Sequence, residues 1–296
     1  MLSPKEQRLK QRLDALNWPN REHSRIVEAG GVAFHVQELG NEKSAGAAQK
    51  PVMFLIHGTA ASTHSFAPLM ALLSADYHCV AIDVPGHGFT PMPSGFVPTL
   101  PEMARVTLQL LEALNLSQIT GIGHSAGAAI LIDMAARQPH LFSKIFAINA
   151  ALEPMRGHAF LSPLAKVLFV NPLVPQLFAW RAQFAGMTKI MLRATGSTLP
   201  DEAMRQYQIL LEDKNHVSGA LAMMAAWELE PLQTKLANLQ TLLTLIAASD
   251  DSFVPARVSK EAALKAAHGN FVLLPKGGHL VHEVDAAAVA AIITGL

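Results

Sequence analysis

The residues best suited to chemistry lie at positions 123–127, where the sequence GHSAG has the pattern G-x-S-x-G. An apolar run at residues 119–122 precedes this motif, and a helical pattern over residues 126–137 follows it. A serine held at a sharp turn from a strand into a helix is exposed for attack, and small neighbours avoid steric clashes there. We therefore predict that Ser125 is a nucleophile. A dinucleotide-binding loop is the alternative, but the glycine spacing G-x-G-x-x-x-G argues against it.

A serine hydroxyl is a weak nucleophile at neutral pH and needs an adjacent general base. Folds that carry this motif place the serine first in the chain, then an acid, and then a histidine. His279 follows an apolar run at residues 271–274 and lies in the glycine-rich stretch KGGH. We predict that His279 is the base, because such a loop can bring an imidazole over Ser125. For His282, the competing candidate, capping or packing is the preferred interpretation.

The acid is expected after the apolar run at residues 242–247, where Asp250 and Asp251 are adjacent. On an extended backbone successive side chains point in opposite directions, so only one of the two should face His279. Its role would be to hold the imidazole in the correct tautomer and to stabilise the imidazolium. The residue pattern alone leaves both aspartates as candidates.

Acyl transfer also requires two N–H donors for the oxyanion of the tetrahedral intermediate. One donor is expected from Ala126, directly after the nucleophile. The other is expected from the loop at residues 57–60, which follows the apolar run at residues 52–56. In this loop Thr59 is the first choice and Ala60 is the second.

Composition narrows the classes of function. Only 16% of the 296 residues are charged and the formal net charge is zero, so electrostatics predicts no nucleic-acid partner. Although the chain has 13 histidines, the stretch HLVHE at residues 279–283 matches neither H-E-x-x-H nor H-x-x-E-H, so no metal site is predicted. No cofactor is predicted. The single cysteine, Cys79, excludes an intrachain disulfide and fits a reducing compartment.

The sequence also predicts a cytoplasmic protein without a transmembrane segment. No apolar run reaches the ~18–20 residues needed to cross a bilayer. Residues 1–18 lack the apolar core of a signal peptide and are expected to form a short amphipathic helix.

The elements that must position these residues alternate along the chain. Residues 24–39 are predicted to form a hairpin, and further strands are predicted at residues 52–56, 79–84, 119–122, 144–149, 242–247 and 271–274. Helical patterns lie between or after them at residues 66–74, 100–114, 126–137, 256–267 and 284–293. Continuous apolar runs are typical of strands buried on both faces. The alternation predicts an α/β fold with a mostly parallel central sheet and helices on both faces.

One interval, at residues 151–240, contains helical patterns and no clear strand. We predict that it is a helical cap inserted between two parts of the core, at residues 24–150 and 241–296, after an N-terminal helical extension at residues 1–23. Such an insertion would lie at the carboxyl ends of the strands, where open α/β sheets bind ligands. The side chains predicted to bind substrate are His124, Phe178, Trp180, Met223, Met224 and Trp227.

Several motifs carry a resemblance to a known family. General features of the α/β-hydrolase fold occur through nearly the whole chain, at His57-Gly58, Asp83-x-Pro85-Gly86-His87-Gly88, residues 123–127 and Gly278-His279. More specific stretches are WPNREHS at 18–24, HGTAASTHS at 57–65, PGHGFT at 85–90, GHSAGAA at 123–129, SPLAK at 162–166 and NPLVP at 171–175. Together they resemble the magnesium-chelatase accessory proteins of bacteriochlorophyll biosynthesis, the BchO family.

The resemblance implies the α/β-hydrolase fold, a bacterial phototroph and a role near the insertion of magnesium into protoporphyrin IX. It implies a tetrapyrrole-like or other small apolar ligand, magnesium-chelatase subunits as partners, and peripheral contact with the photosynthetic membrane. Proteins of this fold commonly read D-x-x-V-P at the acid, and residues 251–255 fit this pattern, which selects Asp251. The chain departs from the fold's common pattern at Ala247-Ala248, where many relatives have a glycine.

Three functions follow from these observations. The first is a serine hydrolase that acts on an ester, amide or thioester. The second is a non-catalytic tetrapyrrole-binding protein or chelatase partner on a hydrolase scaffold, and the third is an unrelated carboxylesterase or C–C bond hydrolase. The complete set of serine, histidine and aspartate favours chemistry, because binding alone needs none of the three.

Overall fold

One eight-stranded sheet organises the protein in a computed structural model that describes residues 3–41, 49–153, 176 and 186–295. In chain order the strands are β1 (Ser24–Ala29), β2 (Val32–Leu39), β3 (Val52–Ile56), β4 (His78–Ile82), β5 (Ile119–His124), β6 (Phe142–Ile148), β7 (Leu242–Ala248) and β8 (Gly269–Leu274). Their order across the sheet is β1-β2-β4-β3-β5-β6-β7-β8. The pairs β1–β2 and β2–β4 are antiparallel, and all other neighbours are parallel. The predicted mostly parallel sheet is confirmed.

The central strands are buried on both faces, which explains their continuous apolar sequences. Four of the five residues of β3 and all five residues of β4 are buried. Each large apolar side chain that is fully buried stabilises the fold by about 1.5–3 kcal/mol. The strand β8 lies at the edge of the sheet and is more exposed than these central strands.

Helices cover both faces of the sheet, as predicted. In the part of the chain that the structure describes they are α1 (Pro4–Leu16), α2 (Ala67–Leu73), α3 (Leu100–Ala113), α4 (Ala126–Arg137), α5 (Met187–Arg193), α6 (Asp201–Glu212), α7 (Lys214–Ala226), α8 (Glu230–Ala237), α9 (Ala256–Lys265), α10 (Val281–Val284) and α11 (Ala286–Gly295). One apolar cluster joins the sheet to α3, α4, α8 and α9. A second cluster joins the opposite face to α2 and α11.

The N-terminal helix α1 attaches to both the core and the helices that follow β6. A capping box and a proline in the first turn start this helix. Its apolar face belongs to a separate buried cluster of Leu9, Leu13, Trp18, Phe89 and Leu210, of which Leu210 lies in α6. Arg12 Nη2 also lies 2.6 Å from Asp213 Oδ2, at the junction of α6 and α7. The extension therefore supports the position of α6 over the core.

The described part of residues 151–240 contains helices α5 to α8 and no strand. Helix α7 packs closely on the loop after β4, since a Cβ atom at Gly219 would overlap the carbonyl oxygen of Gly86. The strands β4, β3 and β5 are parallel neighbours, so this loop lies at the same sheet edge as Ser125, directly after β5. The helix α7 thus lies on the Ser125 side of the sheet. The division into extension, core and cap remains a proposal.

Candidate active site

Ser125 lies at the sharp turn between β5 and α4. Its backbone has φ 51° and ψ −115°, a strained conformation for a residue with a side chain. Three backbone hydrogen bonds hold it there: the Ser125 N–H donates to Ile148 O at 3.0 Å, and the Ser125 carbonyl accepts from the N–H groups of Ala128 and Ala151, each at 3.2 Å. This geometry matches the turn that presents a nucleophilic serine at the end of a strand.

Close packing explains why glycine occupies both ends of the motif. A Cβ atom at Gly123 would lie 2.6 Å from the backbone nitrogen of Ala128 in α4. A Cβ atom at Gly127 would overlap the carbonyl oxygen of Ile56, the last residue of β3. The start of α4 can therefore approach β3 and β5 only because neither position carries a side chain.

His279 and Asp251 form a buried pair next to this turn. His279 Nδ1 lies 2.8 Å from Asp251 Oδ2, and both residues are 8% exposed. The other carboxylate oxygen, Asp251 Oδ1, accepts the backbone N–H groups of Phe253 at 2.7 Å and Val254 at 2.9 Å. With Nδ1 bonded to the carboxylate, Nε2 is left as the ring nitrogen that can accept a proton. Among the described residues, the Ser125 hydroxyl and His279 Nε2 have no hydrogen-bond partner.

Asp250 bonds to the main chain next to His279, whereas its neighbour Asp251 bonds to the imidazole. Its carboxylate accepts the N–H groups of Gly278 at 2.9 Å and Gly277 at 3.2 Å. Both glycines have positive φ angles, 132° at Gly277 and 65° at Gly278, which glycine adopts without strain. Asp250 therefore braces the loop that carries His279, whereas Asp251 contacts the imidazole.

The main chain of His279 is anchored by two side chains from the sheet. Its carbonyl oxygen accepts a hydrogen bond from His124 Nε2 at 2.8 Å and one from Asn149 Nδ2 at 2.9 Å. Asn149 directly follows β6, and its Oδ1 also accepts the N–H of Ala248 at 2.9 Å. The loop that carries His279, at residues 275–280, is called the base loop below. Asn149 thus ties the base loop to the end of β7. Sequence reasoning missed this residue, and its only local signal was a polar side chain at the end of an apolar run.

His124, one of the residues expected to contact substrate, lies in the interior of the structure. His124 is 2% exposed and lies behind Ser125, against the rings of His279 and His282. Burial lowers the pKa of His124 well below its ordinary value, so the ring is neutral and can hold the His279 carbonyl as a donor. Its role in the structure is therefore to support the base loop.

The backbone N–H groups of Thr59, Ala60 and Ala126 have no acceptor among the described residues. The loop that carries Thr59 lies directly against the serine, since a Cβ atom at Gly58 would be 2.9 Å from Ser125 Cβ. Unpaired N–H groups at this place can stabilise an oxyanion. The free N–H groups leave both Thr59 and Ala60 available for this role.

Two buried histidines hold this loop. His57 Nδ1 donates to Gly58 O at 2.7 Å, and His57 Nε2 accepts the N–H of Val84 at 3.1 Å. His216 of α7 donates from Nε2 to Ala60 O at 3.3 Å and accepts the Gly88 N–H at Nδ1 at 3.0 Å. Burial lowers the pKa of His216 to about 4, which keeps one ring nitrogen free to accept. His216, which the sequence did not single out, joins α7 to the candidate oxyanion loop.

The structure describes three of the five side chains of the cap that were predicted to bind substrate. Met223 is buried in the core cluster and its Sδ lies 3.8 Å from Thr59 Oγ1, so it packs beside the candidate oxyanion loop. Trp227 is partly buried on the same cluster, and its buried Nε1 has no hydrogen-bond partner in the part of the chain that the structure describes. Met224 is half-buried on α7. Phe178 and Trp180 lie outside the described residues.

Phe253 was not selected from the sequence but contacts the base directly. Its ring stacks on the imidazole of His279, with ring centroids 5.6 Å apart and an interplanar angle of 29°. The side chain remains 46% exposed. An exposed aromatic ring beside the base offers an apolar surface to a ligand at the mouth of the site.

His282 and Glu283 are buried next to the base loop. His282 is fully buried against Phe66, with ring centroids 5.1 Å apart, and neither ring nitrogen has a hydrogen-bond partner among the described residues. Burial lowers the pKa of His282 to about 3, which fits a packing role. The Glu283 carboxyl oxygen Oε1 accepts a hydrogen bond from the Tyr207 hydroxyl at 2.6 Å. Burial raises the pKa of Glu283 to about 8.

The raised pKa of the Glu283 carboxyl predicts that folding stability depends on pH. Between its ordinary value of 4.5 and about 8, the folded protein keeps a proton that the unfolded chain releases. Stability should therefore fall as the pH rises through this window, by on the order of a few kcal/mol. Glu283→Gln, which cannot ionise, should flatten the curve of Tm against pH there.

The exposed Glu112 on α3 provides the matched control, since Glu112→Gln should leave the native slope unchanged. Thermal unfolding of both variants and the native protein at several pH values measures the difference. The buried histidines contribute equally to all three curves. An unchanged slope in Glu283→Gln would contradict the assignment of a protonated Glu283.

The residues that the structure describes also bear on metals and membranes. They contain no group of three or more histidine, cysteine or acidic side chains arranged to hold a metal ion. None of the helices described is long and apolar enough to cross a membrane.

A family model matches most of the chain, including the elements that carry the candidate site. A model described as the alpha/beta hydrolase fold matches residues 51–286, from just before β3 to the start of α11. The match therefore includes Ser125, Asp251 and His279.

Individual proteins extend this match. The chain is 34% identical over 283 residues to "Magnesium-chelatase 30 kDa subunit" of Rhodobacter capsulatus, which covers 94% of this chain and 95% of that protein. It is 25% identical over 237 residues to "Uncharacterized hydrolase YugF" of Bacillus subtilis, which covers 79% of this chain and 85% of that protein. The crystal structure of an alpha/beta hydrolase fold protein from Burkholderia ambifaria aligns with a TM-score of 0.73 and 18% identity, over 93% of this chain and 100% of that chain. At that identity the structural likeness concerns the fold alone.

Proposed function

This chain belongs to the α/β-hydrolase family and, within it, to the family of the magnesium-chelatase 30 kDa subunit, and we propose that it is a serine hydrolase acting beside magnesium chelatase. The observation that carries the proposal is the strained turn at Ser125 next to the buried pair of His279 and Asp251. Strain of this kind persists only where the surrounding structure enforces it, and it is concentrated at functional sites.

The proposed reaction follows from the groups at this turn. Ser125 Oγ attacks the carbonyl carbon of an ester, amide or thioester while His279 Nε2 takes the hydroxyl proton. The carbonyl oxygen becomes an oxyanion that the N–H groups of Thr59 and Ala126 stabilise. The carbon–leaving-group bond then breaks, and His279 returns the proton to the departing alcohol, amine or thiol. Water, activated by the same imidazole, cleaves the acyl-serine and restores the enzyme.

Asp251 acts in this scheme through His279. Its Oδ2 holds the proton on Nδ1, so that Nε2 is the free base, and it stabilises the imidazolium formed during attack. Because Oδ1 is already bonded to two backbone N–H groups, the carboxylate has one fixed orientation.

The proposed ligand is a large apolar molecule, with a tetrapyrrole as the specific candidate. Phe253 beside the base offers an exposed aromatic surface. Met223 packs beside Thr59 with a flexible side chain, and the partly buried Trp227 adds a second aromatic ring on the core cluster. The name of the Rhodobacter capsulatus relative links that protein to magnesium chelatase, which is why the proposal extends to chelatase subunits as partners. A cytoplasmic location with peripheral contact to the photosynthetic membrane completes the proposal.

The decisive experiment is labelling with a fluorophosphonate probe followed by mapping of the modified peptide. We expect the native protein to be labelled at Ser125 and the folded Ser125→Ala variant to remain unlabelled. Protoporphyrin IX and its magnesium form are added to parallel samples, where they should slow labelling and shift the Soret absorbance. Folded native protein that takes up no probe would refute the hydrolase, whereas an unaltered Soret band would refute only the tetrapyrrole.

A non-catalytic chelatase partner is the second candidate function, and the similarity to a chelatase subunit over nearly the whole chain favours it. The Ser125→Ala variant separates the two candidates. If native and Ser125→Ala protein affect magnesium insertion by the chelatase equally, binding rather than hydrolysis is the function. If only the native protein acts, the hydrolase is supported.

A further inference from the structure

A segment between α5 and α6 lies directly on the loop that carries His279. The carbonyl oxygen of Thr195 accepts the backbone N–H of His279 at 2.9 Å and that of Ser252 at 3.5 Å. One carbonyl group of the proposed cap therefore contacts both the base loop and the loop that carries Asp251. The backbones are so close that a Cβ atom at Gly278 would overlap the backbone of Gly196.

Ser197 in this segment bonds to the base loop on both sides of His279. Its hydroxyl donates to the carbonyl oxygen of Gly277 at 2.9 Å and accepts the N–H of Leu280, also at 2.9 Å. Ser197 is 1% exposed, so water cannot readily replace either bond. A single buried side chain thus spans the residues that flank the base.

The base loop depends on such outside contacts. It lies between β8 and α10, and the glycines at 277 and 278 give it no regular hydrogen-bonding pattern of its own. Asp250, Asn149 and His124 hold its main chain from the core side. Ser197 holds the same loop from outside the core, in the segment between α5 and α6.

We propose that Ser197 is a positioning residue for the base, which rests on the proposed function of His279. Its hydroxyl fixes the distance between Gly277 and Leu280, and so keeps the imidazole bonded to Asp251 in the orientation that proton transfer requires. The position of the base therefore depends on the segment of the proposed cap between α5 and α6. A displacement of about 1 Å in a catalytic group can lower a rate by about 100-fold.

The test compares Ser197→Ala with Ser197→Thr, which keeps the hydroxyl, and with Ser259→Ala. Ser259 is the matched control, because it is also 1% exposed, lies in α9, and its hydroxyl has no hydrogen-bond partner among the residues described. The first readout is the downfield NMR signal of the His279 Nδ1–H proton in the free protein. The second is the rate of fluorophosphonate labelling and its pH profile.

We expect Ser197→Ala to broaden or lose the Nδ1–H signal and to slow labelling by about 10- to 100-fold, with a displaced pH profile. Ser197→Thr and Ser259→Ala should keep the native signal and profile. A native Nδ1–H signal in Ser197→Ala would overturn the proposal. Because this signal needs no turnover, it decides the role of Ser197 even if the native protein takes up no probe and the hydrolase itself is refuted.

Should Ser197→Ala fail to fold, Ser197→Cys provides the second variant. It is close to serine in size, but a thiol is a weak donor and a weak acceptor, so both bonds to the base loop are weakened. We expect the same loss of the Nδ1–H signal. An unchanged signal in this variant would equally overturn the proposal.

Discussion

Replacing His279 with alanine should lower the rates of ester hydrolysis and probe labelling by about 10⁴- to 10⁶-fold, as removal of the histidine does in other serine hydrolases. The reason is that no other described base is placed to take its role. His282 is fully buried, and its pKa of about 3, lowered by burial, would leave it a very weak base even if it could reach Ser125. Single-turnover labelling measures the rate of the chemical step directly.

The His282→Ala variant is the control for this prediction. It removes a buried ring that packs against Phe66 and His124, so it should lower Tm. In the folded fraction, however, the labelling rate should stay close to native. The opposite pattern, with normal labelling in His279→Ala and none in His282→Ala, would reassign the base.

The local elements around the candidate site could be predicted from the sequence pattern. The turn at Ser125 could be predicted because strand, motif and helix follow one another without a gap. The loops of His279 and of the two aspartates could be located because each follows an apolar run, and parallel strands bring their carboxyl ends to one edge of the sheet. The choice of Asp251 over Asp250 came from the family resemblance and not from the apolar run. The parallel sheet itself followed from unbroken apolar runs.

The parts that could not be predicted depend on contacts between distant residues. His216 bonds to Gly88 across 128 positions, and Asn149 bonds to Gly278 across 129. Ser197 and its partner Gly277 are 80 positions apart. No spacing rule connects such pairs. His216 and Ser197 meet their partners because the helices and loops after β6 pack on the core, and Asn149 meets Gly278 because β6, β7 and β8 are neighbours in the sheet.

The interior position of His124 has a simpler cause. It is adjacent to Ser125 and was therefore expected to share the substrate pocket. Ser125 follows the end of β5 in a turn with a positive φ angle and is partly buried, whereas the side chain of His124, the last residue of β5, lies in the interior. There its ring contacts His279 and His282, with centroids 4.7 Å and 4.2 Å away.

Asp251→Asn should lower hydrolysis and labelling by about 10³- to 10⁴-fold with little change in overall structure. The backbone N–H groups of Phe253 and Val254 both donate to Oδ1. In asparagine only the carbonyl oxygen can accept these bonds, so the amide nitrogen must turn toward His279. An N–H donor facing Nδ1 forces the imidazole proton onto Nε2, and the ring can then no longer take the proton of Ser125.

The neighbouring Asp250→Asn variant separates this tautomer effect from the loss of a nearby charge. Asp250 accepts one N–H at each oxygen, from Gly278 and Gly277, so an asparagine can keep only one of these bonds. We expect a loss of about 10-fold or less, consistent with one weakened hydrogen bond in the base loop. NMR should find the imidazole proton on Nδ1 in Asp250→Asn and on Nε2 in Asp251→Asn. If both variants lose activity equally and both keep the proton on Nδ1, charge rather than tautomer control explains the role of Asp251.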